Sequence, residues 1–296
     1  MDDLGDAPDV VVVGAASRDL ALDDPRGWRL GGPATYCSLA AARLGLRVGC
    51  LLGVDAEAAE ADELGLLRAA GVDLRLAPLE HGPVFENLES GGQRRQRWFA
   101  KSDEIPVKAL PEGWAGASAW LLVPVAGEMG EEWAAVPEPG ARVALGPQGL
   151  LRQFMADGWV ARVEPAPSGL LRAAGLVCAS VGDLVPETDL ALLPKLAPGA
   201  IIVLTAGDGG GIAMRGGELG RYRSIPAHRV VDPTGAGDVF LAALTAVWLL
   251  LGERATPSAL RFAAAAGSCA VEAVGLSGVP KAAQVAARLL STTHSA

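Results

Sequence analysis

Short apolar runs rich in β-branched residues alternate with helical segments along the chain, and this alternation most constrains its fold. The segment DVVVVGAAS predicts a parallel strand buried on both faces, because its apolar residues are continuous. GGPATYCSLAAARLG predicts a helix that begins near Pro33 and closes near Gly45. RVGCLLGVD, AEAAEADELGLLRAAG and VDLRL then predict a strand, a helix and a strand. This order predicts an α/β fold with a doubly wound, mostly parallel sheet flanked by helices.

A different pattern interrupts the alternation between residues 83 and 105. PVFENLESGGQRRQRWFAKSDEI contains two alternating stretches around a Gly-Gly turn, which predicts a β-hairpin. AWLLVPV, RVALG, LVCAS and AIIVLTAG predict further strands, and the chain from Gly237 onward is largely helical. We expect a single domain over residues 1–296 with a small β lid, contributed mainly by residues 83–105. Ligands of such folds bind beyond the carboxyl ends of the strands.

The charge and the cysteines narrow the class of partner. A net charge of −9 and a pI near 4.9 argue against binding to nucleic acid or to an anionic membrane. The longest apolar run, Val239 to Leu251, is shorter than the roughly 20 residues that cross a bilayer. The N-terminal MDDLGDAPDV lacks the features of an export signal, which predicts a cytoplasmic protein with reduced core cysteines. A small-molecule ligand is therefore expected.

The stretch VVDPTGAGDVFLAALTAVWLLL places a carboxylate between a glycine-rich turn and a long apolar helix. Gly235, Ala236 and Gly237 carry little side chain, so their amides can approach an anion at a helix N-terminus. Asp238 then has two interpretations: it caps the helix, or it accepts a proton from a hydroxyl that attacks a phosphoryl group. The chain contains no GxxxxGK[ST] motif, and GAASRD after the first strand is not GxGxxG.

The motif DPTGAGD resembles the C-terminal signature of the ribokinase-like, or PfkB, carbohydrate kinases. Other features match this family in the same order along nearly the whole chain: a first strand that closes on Asp19, GGPATYCSLAAARLG, a β-rich lid and VLTAGDGGG. The resemblance implies that Asp238 is the catalytic base and that Gly235, Ala236 and Gly237 form the anion hole. It also implies a set of ligand contacts: ATP at Thr205, Gly207, Gly210 and Thr234, and the acceptor at Asp19, Gly31 and Gly32. The glycines after Thr205 could also form an ordinary hairpin turn.

Two departures from the family pattern bear on the metal and on the lid. Many members carry an Asn-x-x-Glu motif that organises magnesium, whereas this chain has Ser180 and Asp183 at the matching place. We expect Asp183 to orient a water on Mg²⁺, and activation by K⁺ stays open. The segment between Asp19 and Gly31 is short, which predicts that part of the lid is absent and that closure depends on Pro83 to Phe99.

The acceptor is less defined than the chemistry. GGPATY differs from the GGKGAN of ribokinase, and with GPQGLLR and the Ser-x-x-Asp motif it looks similar to the inositol kinase branch. A polyol needs carboxylates and amides, which Asp19, Asn87 and Gln148 could supply, although each could be a loop or turn residue. A phosphorylated sugar needs a basic site. The basic candidates on the hairpin are more often a solvated face: Arg94, Arg95 and Arg97.

The leading hypothesis is an ATP- and Mg²⁺-dependent kinase that phosphorylates a hydroxyl of a small sugar or polyol, with myo-inositol as the first acceptor to test. The alternatives are a non-catalytic nucleotide-binding protein of the same family and a nucleoside kinase. A nicotinamide-dependent oxidoreductase lacks its fingerprint. A lid edge could pair across a homodimer, but a monomer is equally compatible with the sequence.

Overall fold

The computed structural model describes residues 7–90, 93–252 and 256–293. Its strands are β1 (Val10–Ala15), β2 (Ser17–Leu20), β3 (Trp28–Gly31), β4 (Val48–Val54), β5 (Asp73–Pro78), β6 (Val84–Ser90), β7 (Gln93–Ala100), β8 (Ala119–Leu122), β9 (Arg142–Leu145), β10 (Arg152–Phe154), β11 (Val160–Arg162), β12 (Leu176–Ser180), β13 (Ile201–Thr205), β14 (Gly211–Arg215) and β15 (Glu218–Tyr222). Its α-helices are α1 (Pro33–Arg43), α2 (Ala56–Ala59), α3 (Leu64–Ala69), α4 (Gly169–Ala173), α5 (Leu193–Leu196), α6 (Ala236–Leu251), α7 (Pro257–Ala270) and α8 (Ala282–Thr293).

The central sheet has nine strands in the order β15-β14-β13-β12-β9-β8-β1-β4-β5. Its strands run parallel from β13 to β5, and the β14–β15 hairpin adds two antiparallel strands at one edge. β1 is the third strand from the β5 edge, and all six of its residues are buried, as its continuous apolar run predicts. The predicted doubly wound, mostly parallel sheet is confirmed.

Each face of the central sheet packs against its own hydrophobic core. One core contains side chains of α1, α3, α6 and α7, including Leu39, Leu64 and Phe240. The other core contains α4, α5 and the segments between β7 and β9, with Trp120 and Trp133 fully buried. The four cysteines are free and buried, as the sequence predicts. Within the described residues, no helix is long and apolar enough to cross a membrane.

The segment AEAAEADELGLLRAAG forms two short helices, so the prediction of one continuous helix is wrong. Asp55 caps α2 by accepting a hydrogen bond from the amide of Ala58, at 2.8 Å. The helical path stops after this single turn, and α3 begins at Leu64, whose side chain is fully buried. The burial of Leu64 and Leu67 against the sheet therefore fixes the position of α3 independently of α2.

The lid is a four-stranded sheet in the order β3-β2-β6-β7. The predicted hairpin is present as β6 and β7, and its Gly91-Gly92 turn lies outside the described residues. The short segment between Asp19 and Gly31 predicts that part of the lid is absent, so that closure depends on Pro83 to Phe99. In the structure, the chain around this segment forms β2 and β3, which pair as an antiparallel hairpin of the lid sheet. β2 then pairs in parallel with β6, which aligns Asp19 with Phe85.

A second short hairpin, β10–β11, packs beside the lid. The amide of Trp98 on β7 donates to the carbonyl of Gly158, at 2.9 Å. Phe154 and Val160 join Phe85 and Trp98 in one apolar cluster, in which the Phe85 and Phe154 rings stack with centroids 6.2 Å apart. The strands of this hairpin have three residues each, which is too short for a recognisable period-2 pattern.

Glu128 is a buried carboxylate that joins the end of β1 to the loop after β8. Its oxygens accept hydrogen bonds from the amides of Ala15, Val125 and Ala126, at 2.7–3.1 Å. Burial raises the pKa of Glu128, and these amides oppose that rise. The carboxylate thus provides an acceptor for three backbone N–H groups at once. These hydrogen bonds hold the loop that contains Val125 against the end of β1.

We predict that Glu128→Leu lowers the free energy of unfolding by about 3 kcal/mol or more, because three buried N–H groups lose their acceptor. Chemical denaturation measures this change. Glu128→Gln keeps one acceptor oxygen and should lose clearly less. A loss of less than about 1 kcal/mol in Glu128→Leu would contradict the proposed role of these hydrogen bonds.

Candidate active site

A cleft of about 1330 Å³ lies between the lid and the carboxyl ends of the central strands. Gly146 follows β9, Ser180 ends β12 and Thr205 ends β13, and all three line the cleft. A pocket for one drug-sized ligand has a volume of about 300–1,000 Å³. The cleft therefore has room for two small ligands side by side.

The turn before α6 places its amides and Asp238 in this cleft. Gly235 is the N-cap residue of α6, and it has no side chain with which to cap the helix. Asp238 lies in the first helical turn, is half-buried and lines the cleft with Gly235, Ala236 and Gly237. The N-terminal amides of a 16-residue helix thus face the same space as the carboxylate.

Only glycine fits at position 235. Its φ of 77° lies in the left-handed region, which side chains with a Cβ rarely adopt. A Cβ added there would also lie 2.2 Å from Cδ1 of the buried Tyr36 ring on α1. The turn therefore packs directly on the face of this ring, which places the first amides of α6 against a rigid neighbour.

Asp232, which the sequence analysis did not identify, organises the same turn from its other side. Its Oδ1 accepts from the amide of Thr234 and its Oδ2 from the amide of Gly275, both at 2.9 Å. The amides of Val231 and Asp232 also bond to the carbonyl of Val271. Asp232 therefore joins the turn to the segment after α7, and an aspartate two residues before Thr234 was the available sequence signal.

Asp19 occupies the lid side of the cleft. Ser17 donates its hydroxyl to Oδ1 of Asp19, at 2.8 Å, and both residues line the cleft. Gly31 does not line the cleft: a Cβ at this position would lie 2.4 Å from Oδ2 of Asp19. Gly31 thus provides the space for the carboxylate, and Gly32 lines the cleft beside it. Ser17 could have been found from strand alternation, which places it on the same face as Asp19.

Two lid amides line the same part of the cleft. Asn87 and Gln96 are directly opposite each other on β6 and β7, and Nε2 of Gln96 donates to Oδ1 of Asn87, at 2.9 Å. The sequence predicts Asn87 as an acceptor contact, whereas Gln96 was not predicted. The hairpin pairing would have revealed it, because cross-strand partners point to the same face.

On the opposite side, the β13–β14 hairpin borders the cleft. Thr205 ends β13, its hydroxyl donates to the carbonyl of Ala179 at 3.4 Å, and Gly207 and Gly210 flank the loop that leads to β14. The loop is thus a hairpin turn that also lines the cleft. Ala264 and Gly267 of α7 line the same region and present little side chain to it.

Asp183 and Gln148 come together at the ends of β12 and β9. Ser180 and Asp183 form a reciprocal capping box, in which Asp183 accepts from the amide of Ser180 and Ser180 accepts from the amide of Gly182. Nε2 of Gln148 donates to Oδ1 of Asp183, at 3.4 Å. The sequence predicts that Gln148 binds the acceptor and that Asp183 orients a metal-bound water. The structure places these two side chains within hydrogen-bond distance of each other.

The described residues contain no group of three or more His, Cys, Asp or Glu side chains that could hold a metal ion. Asp183 and Asp238 nevertheless line one cleft. Mg²⁺ keeps several waters and needs only one or two carboxylates beside substrate phosphates. The acidic residues present therefore fit a magnesium ion that arrives with a phosphorylated ligand.

Two buried thiols lie close to Asp238 and have no direct role in chemistry. Sγ of Cys37 donates to the backbone carbonyl of Asp238, at 3.4 Å. Burial raises the pKa of Cys37 well above its usual value, and the Asp238 carboxylate raises it further. The same two causes raise the pKa of Cys178, which lines the cleft. Both thiols remain protonated at neutral pH and are poor nucleophiles.

The comparisons with known proteins agree with this geometry. A family model described as pfkB family carbohydrate kinase matches residues 181–282, which include the turn, α6 and α7. No curated protein sequence matches the chain. The chain therefore has the PfkB carbohydrate kinase signature in its C-terminal part.

Solved structures of ribokinase-family members match nearly the whole chain. A pyrophosphate-dependent kinase in the ribokinase family, complexed with a pyrophosphate analog and myo-inositol, is 19% identical, with a TM-score of 0.76 and coverage of 94% of this chain and 99% of that chain. Arabidopsis thaliana ribokinase with ribose and ATP is 22% identical, with a TM-score of 0.69 and coverage of 96% and 99%. A putative ribokinase II from E. coli with ATP and Mg²⁺ is 19% identical, with a TM-score of 0.71 and coverage of 95% and 99%. The fold is ribokinase-like, which confirms the resemblance found in the sequence.

We predict that Gly235→Ala lowers the free energy of unfolding by about 2–5 kcal/mol, because the new Cβ meets Tyr36 at a backbone conformation that disfavours it. Thermal or chemical denaturation measures the change. Gly237→Ala is the matched control for stability, because a Cβ there meets no described atom within 4 Å. A Gly235→Ala variant as stable as Gly237→Ala would show that the contact with Tyr36 does not define the turn.

Proposed function

We propose that the protein is an ATP-dependent kinase that transfers the γ-phosphoryl group to a hydroxyl of a small sugar or polyol. The observation that carries this proposal is the meeting, in one cleft, of a helix N-terminus, the Asp238 carboxylate and the lid residues Asp19 and Asn87. The turn and Asp238 would serve the transferred group, and the lid would bind the acceptor. The pfkB family match over the turn supports the same chemistry.

Asp238 acts as the general base in this proposal. A hydroxyl that attacks a phosphoryl group loses its proton, and a carboxylate within hydrogen-bond reach accepts it. Since Gly235 is the N-cap residue, Asp238 does not occupy the N-cap position; it lies in the first turn of α6 and lines the cleft.

The first amides of α6 stabilise the charge on the transferring group. Backbone donors at a helix N-terminus favour anions, and their effect is greatest where they need no rearrangement during the reaction. The contact between Gly235 and Tyr36 and the two hydrogen bonds of Asp232 hold these donors in place. Tyr36 and Asp232 are therefore positioning residues.

The donor nucleotide would lie between the β13–β14 hairpin and α7. Thr205, Gly207, Gly210 and Thr234 border this part of the cleft, and the small side chains of Ala264 and Gly267 leave room for a base. The cleft volume of about 1330 Å³ suits a nucleotide together with a small acceptor. These features favour ATP as donor.

Magnesium would be held near Asp183 and Asp238, with waters and phosphate oxygens as its other ligands. When bound, it neutralises negative charge on the phosphates. Asp183 would orient a bound water, and Gln148 would keep its carboxylate in position through the 3.4 Å hydrogen bond. A comparison of turnover in potassium and sodium buffers would test activation by K⁺.

The acceptor would contact Asp19, Asn87 and Gln96, whose carboxylate and amides can bind several hydroxyls. A solved ribokinase-family structure contains myo-inositol, which makes this polyol the first neutral acceptor to assay. A nucleoside acceptor and a non-catalytic nucleotide-binding role are the competing proposals. ADP release with polyols, sugars, sugar phosphates and nucleosides distinguishes these classes, and tight ATP binding without transfer to any of them would favour the non-catalytic role.

We expect Asp238→Asn to lower turnover by about 10²- to 10⁴-fold while the fold stays intact, because the amide cannot accept the proton. ADP release with the best acceptor measures turnover, and circular dichroism checks the fold. Asp73→Asn on the exposed edge strand β5 is the matched control and should retain full activity. Near-normal turnover of Asp238→Asn would remove the proposed base.

We expect Asp183→Asn to raise the Mg²⁺ concentration for half-maximal activity by about 10- to 100-fold, because the loss of a residue that orients a metal-bound water weakens metal binding. A magnesium titration at saturating ATP and acceptor measures this shift, with Asp73→Asn as control. An unchanged titration curve would assign Asp183 a purely structural role in its capping box.

A further inference from the structure

Two arginines of the β10–β11 hairpin line the cleft beside the lid, and the sequence analysis did not identify either. Arg152 on β10 and Arg162 on β11 are directly opposite each other in the antiparallel register. Cross-strand partners of this kind have Cβ atoms about 4.5–5.5 Å apart and point to the same face. The hairpin therefore places two arginine side chains on one face, and both residues line the cleft.

The face that carries this arginine pair points towards the acceptor part of the cleft. Phe154 and Val160, on the same face by alternation, pack in one cluster with Phe85 of the lid. The guanidinium of Arg152 lies 5.8 Å from the centroid of the Phe85 ring. Phe85 is in turn the register partner of Asp19. The arginine pair and Asp19 thus belong to the same end of the cleft.

The charge arrangement of this pair is unusual in an acidic protein. Like charges directly opposite each other destabilise a hairpin unless a counter-charge is present. On the neighbouring lid strand, Arg97 has such a partner, because its guanidinium lies 3.7 Å from the Glu86 carboxylate. No carboxylate among the described residues forms an ion pair with Arg162. An anion from outside the chain would supply Arg162 with a counter-charge.

We propose that Arg152 and Arg162 bind an anionic group of the acceptor, so that the preferred acceptor is a sugar or polyol that carries a phosphate ester or a carboxylate. This inference rests on the proposed kinase function. Guanidinium groups bind such oxyanions through paired N–H donors, with more geometric specificity than an ammonium provides. Asp19, Asn87 and Gln96 would contact the hydroxyls at the same end of the cleft.

Of the arginines in the predicted lid hairpin, Arg97 does not line the cleft, and Arg95 lines it only from a stacked position. The guanidinium of Arg95 lies 3.8 Å from the centroid of the ring of Trp159, the residue that directly precedes β11. We therefore assign the oxyanion contact to the β10–β11 pair.

The first experiment compares acceptors that differ chiefly in the anionic group: fructose with fructose 6-phosphate, ribose with ribose 5-phosphate, and sorbitol with gluconate. We expect kcat/KM to be at least about tenfold higher for the anionic member of a preferred pair. The phosphate pairs and the carboxylate pair separate the two sources of the anion. Equal or higher kcat/KM for every neutral member, myo-inositol included, would overturn the inference.

The second experiment tests the residues. Arg152→Gln and Arg162→Gln should each raise KM for the anionic acceptor by about 10- to 100-fold and leave kcat/KM for the neutral counterpart within about twofold. Arg172→Gln is the matched control, because Arg172 is an exposed arginine of α4 outside the cleft. Equal losses with the neutral and the anionic acceptor would show a structural role and contradict the assignment.

A binding measurement separates failure of this inference from failure of the proposed function. Isothermal titration calorimetry of the wild type and of both variants, with fructose 6-phosphate, ribose 5-phosphate and gluconate and without ATP, reports anion binding independently of turnover. Binding that both variants lose, without phosphoryl transfer to any acceptor, would support the anion site and overturn the kinase. Turnover of acceptors without any dependence on the two arginines would support the kinase and overturn the anion site.

Discussion

The turn at the start of α6 depends on a contact that only glycine permits. Gly235 lies against the buried ring of Tyr36 on α1, in a backbone conformation that other residues rarely adopt. This contact sets where α6 begins, and therefore where its free amides and Asp238 point. α1 itself begins directly after the lid strand β3, so the same ring connects the lid side of the cleft with the start of α6. A substitution at Gly235 or Tyr36 would therefore affect both halves of the site.

Around this contact, two carboxylates place loops that the strands alone would not fix. The half-buried Asp232 accepts hydrogen bonds from the amides of Thr234 and Gly275, and the buried Glu128 accepts from three amides at the ends of β1 and β8. Removal of either carboxylate leaves these backbone donors without their acceptor. The cleft thus has a rigid floor at the strand ends. The lid is joined to that floor through β2 and through the ion pair of Arg18 with Asp55, at 2.9 Å.

The sequence predicts those parts of the structure that have a local signal. Continuous apolar runs such as that of β1 identify the parallel strands, the alternating residues of β6 and β7 identify the hairpin, and the glycine-rich turn identifies the start of α6. β2 and β3 were missed because four-residue strands give little pattern and become regular only when they pair with each other and with β6. Arg152 and Arg162 were missed for the same reason, since ten positions separate them and only the hairpin register makes them neighbours.

Acidic and basic side chains line different parts of the cleft. Asp183 and Asp238 lie near the ends of the strands and the start of α6, where the phosphates of a donor and a divalent cation would meet. The β10–β11 hairpin carries its arginine pair beside the lid, where Arg152 lies near Phe85, the register partner of Asp19. Under the proposed function, these groups would orient an acceptor that carries an anion: the anion would bind the arginines, and one of the hydroxyls would reach Asp238. A neutral acceptor would lack this orientation, so that its hydroxyls would compete for the position beside the base.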